Sequence, residues 1–130
     1  MSAFQTSHVF GGFSVDSIDD ARSFYRDTLG MDVIDNAMGF LDIALPQGGS
    51  ILVYSKPNHT PASFTILNFP VDDVEAAVDD LNARGVVTKI YTDPDFGTDA
   101  KGISHGGPGR GPDIAWFRDP AGNVLSVLAE

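Results

Sequence analysis

No cysteine occurs among the 130 residues of this chain. Disulfides, zinc–thiolate centres and cysteine nucleophiles are thereby excluded. Long apolar runs are absent too: no stretch approaches the roughly 20 residues a membrane helix needs. The opening MSAFQTSHVF has neither the basic start nor the apolar stretch of a signal peptide, so a cytoplasmic protein is expected. Basic residues are scarce, 8 Lys and Arg against 18 Asp and Glu, which leaves a formal charge of −10. Such a surface repels phosphate backbones, and nucleic acid is not expected as a partner.

What remains has the balance of a soluble globular domain, 42% hydrophobic and 20% charged. The length suits one domain with one core. With 14 Gly and 8 Pro, turns are frequent, which favours a sheet-rich fold. The acids gather at Asp16, Asp19, Asp20 and Asp27, then at Asp72, Asp73, Glu75, Asp79 and Asp80. At helical spacing these read as two solvated helix faces.

The chain repeats itself. A shift of 56 residues lays FSVDSIDDARSFY from Phe13 on FPVDDVEAAVDDL from Phe69, matching Val15 with Val71, Ile18 with Val74 and Ala21 with Ala77. Each copy reads as a strand running into a helix. Asp16 and Asp72 are the expected caps, and Gly30 and Gly85 the expected C-terminal stops. Helices are predicted near 17–29 and 73–84. Strands are predicted near 7–15, 31–36, 39–45, 50–55, 63–70, 86–91, 113–118 and 124–129. The fold class is therefore α+β, a single domain of two βαβββ modules near 7–55 and 63–130. SKPNHTPAS, residues 55–63, links them. Residues 92–112 form a long irregular loop, and loops of that length are usually functional or mobile.

Three stretches, "FYRDTLG" from Phe24, "VDDVEAA" from Val71 and "DPAGN" from Asp119, give the chain its likeness to a known family. In order and spacing it resembles the vicinal oxygen chelate superfamily of glyoxalases, bleomycin-resistance proteins and extradiol dioxygenases. The resemblance implies that the two modules curl a mixed sheet into a half-open cup. It also implies four strand positions that, in metal-dependent members, carry His, Glu or Gln ligands to one divalent ion. Mapped through the helix starts, the repeat and the DPAGN turn, these positions are Phe10, Leu52, Ile66 and Ser126. Three offer only carbon, and a serine hydroxyl is a poor ligand for a divalent ion. Positions 43–71 contain no Asp or Glu that a shift of register could bring in. No metal and no other cofactor is expected.

Several other residues are candidates. His8, on the predicted first strand, points either into the cup near its rim or to solvent as an ordinary strand histidine. Tyr54 shares a face with Leu52 and brings a hydroxyl. Trp116 and Phe117 face opposite sides of their strand, one toward a helix and one toward the cup. A phosphate loop follows a strand and opens a helix, whereas HGGPGRGP from His105 runs into Asp113–Phe117, which reads as a strand. It reads as an irregular loop or a flexible lid, with Arg110 placed to meet an anionic group. The run from Asp93 to Asp99 resembles a calcium loop but lacks the twelfth-position Glu, so it reads as a solvated turn.

Three functions follow. The first is a metal-independent protein that binds a small, largely apolar ligand through His8, Phe10, Leu52, Tyr54, Ile66, Ser126, Trp116 and Arg110, like the antibiotic-sequestering members of the superfamily. The second is a lyase, isomerase or dioxygenase with a displaced metal site that includes His8. The third is an interaction protein whose cup is filled by its own side chains. A homodimer is expected, because an open sheet leaves edges that a second copy covers.

Overall fold

The computed structural model describes residues 3–93 and 97–130, so residues 94–96 of the calcium-loop-like turn lie outside the described residues. The chain divides into two compact units, Met1–Thr60 and Pro61–Glu130. Among the described residues no helix is long and apolar enough to cross a membrane.

In the first unit, β1 (Gly11–Val15) leads into α1 (Ile18–Arg22), followed by β2 (Asp32–Asp35), β3 (Leu41–Ala44) and β4 (Ser50–Ser55). The strands form one sheet in the order β1-β4-β3-β2. Its first and last strands run parallel, Gly11 opposite Ile51 and Val15 opposite Ser55, and the other pairs are antiparallel. The helix is capped one residue later than expected: Ser17, in extended conformation, accepts the Asp20 N–H at 3.2 Å. After Arg22 the helix widens into a π-helical stretch, Ser23–Thr28, where the Leu29 N–H reaches back five residues to the Phe24 carbonyl. Tyr25 lies fully buried in that stretch, its ring 5.8 Å from Phe13. Phe13, Val15, Leu41, Ile43 and Val53 therefore alternate onto the helix side and form the core.

The predicted first strand began at residue 7, yet pairing starts at Gly11, and residues 3–10 are exposed. The physical reason lies in β4. Its parallel partners begin at Ile51, and the chain before Ser50 is a turn with Gly48 and Gly49 at positive φ, so among the described residues β4 offers residues 7–10 no partner.

The second unit repeats the plan with β5 (Thr65–Val71), α2 (Val74–Ala83), β6 (Ile103–Ser104), β7 (Ile114–Arg118) and β8 (Val124–Ala129), in sheet order β5-β8-β7-β6. Asp73, not Asp72, caps α2 by accepting the Ala76 N–H at 3.1 Å. Gly85, at φ +84, ends it: its N–H goes to the Asn82 carbonyl and that of Val86 to Leu81, the paired bonds of a Schellman stop. Val74, Val78 and Leu81 are buried on α2, which packs on β7 and β8. Ala115, Phe117, Leu125 and Val127 are buried with them.

The predicted strand at 86–91 does not form. Thr88 is held by side chains instead: its Oγ1 donates to the Lys101 carbonyl at 2.7 Å and accepts from Asn82 Nδ2 at 2.9 Å. The place in the sheet is taken by Ile103–Ser104, opposite Ala115 and Ile114, so the predicted irregular loop holds a short strand. The DPAGN turn is a buried polar knot. Asp119 Oδ1 accepts the Asn123 N–H at 2.8 Å, and Asn123 Oδ1 accepts the Ala62 N–H at 3.2 Å.

Candidate functional site

Each sheet has one face turned from its helix. In the first unit the register puts Gly12, Ser14, Leu52, Tyr54, Asp42 and Ile34 on that face. Leu52 and Tyr54 are half-buried, and Phe40 packs edge-on against Tyr54 with ring centroids 6.3 Å apart. Ser14 Oγ lies 2.7 Å from His59 Nδ1, and Lys56 N–H reaches the Val15 carbonyl, so the segment after β4 is tied to β1. His8 and Phe10 precede the strand. They face each other at 5.8 Å, and Phe10 is 53% exposed.

In the second unit the corresponding face centres on Ser126. Cross-strand partners share a face, and Ser126 stands opposite Asn68 on β5 and Trp116 on β7. Ser126 is 0% exposed, and its Oγ donates to Asn68 Oδ1 at 2.6 Å. Trp116 is half-buried and meets Tyr91 edge-on at 5.4 Å. Ile114 and the exposed Arg118 continue the face. Phe117 points the other way, fully buried, its ring 6.3 Å from that of Phe69.

The family position expected on β5 is Ile66. The ladder is irregular between Thr65 and Leu67, and Ile66 falls in the irregularity without a partner strand residue. Asn68 takes the place beside Ser126. The repeat shift of 56 carries Asn68 onto Gly12, the partner of Leu52, so the two units keep equivalent positions. Asn68 was not among the candidates. The available signal was an asparagine inside the strand-forming run TILNF.

Arg110 lies exposed on the turn that closes between Gly107 and Gly111, and its guanidinium makes no ion pair among the described residues. Beside that turn, Asp99 accepts the backbone N–H groups of Lys101 and Ile103 and bonds His105 Nε2 at 2.7 Å. The Asp99 carboxylate raises the His105 imidazole above its ordinary value, which favours the protonated ring. Lys101 bridges Glu75 and Asp79 on the exposed side of α2. A cleft of about 300 Å³ opens between Val86–Lys89 and Ala100–Lys101, and none of the candidate residues lines it.

The four family metal positions do not fit a divalent ion. Phe10, Leu52 and Ile66 present carbon, and the Ser126 hydroxyl is committed to Asn68. Within neither unit do three or more described His, Asp or Glu side chains gather as metal ligands.

The model of the Glyoxalase/Bleomycin resistance protein/Dioxygenase superfamily matches residues 6–127. Among solved structures, the chain is similar to a superfamily member from Sphaerobacter thermophilus DSM 20745, 24% identical, with TM-score 0.70 and 96% and 98% of the two chains covered. A glyoxalase family protein from Bacillus anthracis is 18% identical, with TM-score 0.71 and coverage of 100% and 99%. TnmS3, an antibiotic binding protein from Streptomyces sp. CB03234, is 27% identical, with TM-score 0.64 and 98% of each chain covered. No curated protein matches the sequence.

Proposed function

The chain belongs to the glyoxalase/bleomycin resistance protein/dioxygenase superfamily, and from that premise we propose that it is a metal-independent protein that binds a small, largely apolar molecule. One observation carries the reading. In each unit the sheet face turned from the helix presents half-buried apolar side chains, Leu52 and Tyr54 in the first and Trp116 in the second, and in the second the polar groups Ser126 and Asn68 are committed to one another. Small-molecule sites have that character, mostly apolar with few placed polar groups. The likeness to an antibiotic binding protein supports it. Phe10, His8, Ile66 and Arg110 are the further residues assigned to this role.

The first test is thermal. Filling a site at a hundred times its dissociation constant adds about 2.7 kcal/mol of stability. Ni²⁺, Zn²⁺, Mn²⁺ or Fe²⁺ is expected to leave the melting temperature unchanged. A metal-dependent rise that disappears in His8→Ala would favour an enzyme with a displaced metal site and overturn this reading.

The second expectation concerns assembly. Strands β1 and β5 are sheet edges, and Phe4, Val9, Phe10 and Phe64 beside them are exposed. Exposed edges with apolar flanks are commonly covered by another chain. Sedimentation at micromolar concentration is expected to give a homodimer, and a monomer would remove this part of the proposal.

A further inference from the structure

The Ser126–Asn68 pair dictates which way the Asn68 amide points. A buried hydroxyl hydrogen needs an acceptor. Ser126 is fully buried, and Asn68 Oδ1 is its side-chain partner at 2.6 Å. Turning the amide over would put Nδ2 against Ser126 Oγ and leave the hydroxyl hydrogen without that acceptor. The pair therefore holds Oδ1 inward. The two N–H donors of Nδ2 are left for the other side of the amide, where Asn68 is exposed and its side chain makes no second hydrogen bond among the described residues. Trp116, opposite Ser126 in the ladder, lies on the same face.

We propose that Asn68 is a specificity-determining donor that selects ligands bearing a carbonyl-type oxygen next to apolar surface, and that Ser126 is its positioning residue. This rests on the binding reading above and deepens it. An amide held in one orientation offers donors only, so it rewards an acceptor on the ligand and discriminates against its hydrocarbon analogue. It also accounts for a small hydroxyl at position 126. Ala would release the amide, and a carboxylate would accept from Nδ2 and turn the donors inward.

The probes are two matched pairs of different size, fluorenone with fluorene and 1-indanone with indane, titrated by calorimetry. The ketones are expected to bind the native protein about fivefold to tenfold more tightly than the hydrocarbons, the value of about one hydrogen bond. Asn68→Asp keeps an acceptor for Ser126 and the side-chain size while removing both donors. It is expected to abolish or reverse the preference of ketone over hydrocarbon. Ser126→Ala is expected to shrink the preference. Circular dichroism verifies that both variants are folded. Equal binding of ketone and hydrocarbon by the native protein, or a preference that survives Asn68→Asp, would overturn this inference and leave the binding reading standing. Failure of every probe to bind would overturn both.

Discussion

Ser126→Glu is expected to lower stability by roughly 3–5 kcal/mol, because an unpaired charge and extra volume enter a close-packed position. Ser126 has no exposed surface, and its one side-chain partner, Asn68 Oδ1, is an acceptor that a carboxylate would repel. Even with the Asn68 amide turned to donate from Nδ2, the carboxylate is stripped of water in a position with no exposed surface, so its folded-state pKa is expected above the unfolded value of about 4.3. The native state then binds more protons than the unfolded one, and the deficit shrinks as pH falls from 7 toward 5. Urea unfolding midpoints at both pH values measure this. Ser126→Ala, which removes one hydrogen bond, is expected to cost about 1 kcal/mol. An unchanged midpoint in Ser126→Glu would show that the position is open to water.

Gly102→Ala is expected to cost about 3 kcal/mol or more, combining left-handed backbone strain with a steric clash. Gly102 is buried at φ +89, and a Cβ placed on it would lie 2.0 Å from the Thr88 carbonyl oxygen and 2.6 Å from its carbon. Both are backbone atoms, so no rotamer change relieves the contact. This close approach is the seam where residues 86–89 lie against 101–102. Gly109→Ala serves as the control: its φ is +73, with nothing within 4 Å of the added carbon. It isolates the conformational part, roughly 1–2 kcal/mol. Equal melting temperatures for the two variants would mean that the Thr88 contact yields freely.

The sequence pattern located most of the framework because its signals were local. The repeat set both helices, and β4 runs over Ser50–Ser55 as the alternation predicts. Caps moved by one residue, from Asp16 to Ser17 and from Asp72 to Asp73, since adjacent residues of equal capping ability differ only in backbone conformation. Residues 86–91 misled for a different reason. Their buried Val86 and Thr88 satisfy a strand's alternation, but a pattern shows which side chains turn inward and not what the backbone pairs with. The same limit hid Asn68. A count of seven back from the helix start reaches Ile66, inside the irregularity at Thr65–Leu67, whereas Asn68 stands opposite Ser126 in the regular part of the ladder. Ser126 was legible because it follows a turn that Asp119 and Asn123 hold closed.

Parallel pairing of the first strand with the last has a kinetic consequence. Gly11 meets Ile51 in one unit, and Thr65 meets Val124 in the other. Neither sheet can be completed until nearly all of its unit has been synthesised, so on the ribosome each unit stays open until its final strand emerges. The entropy of closing a loop grows with loop length, and folding slows as paired residues grow more distant in sequence. The second unit must close the longer span, from Thr65 to Val124 rather than from Gly11 to Ile51. It is therefore the slower half to fold, and the first unit has already been made when that search begins.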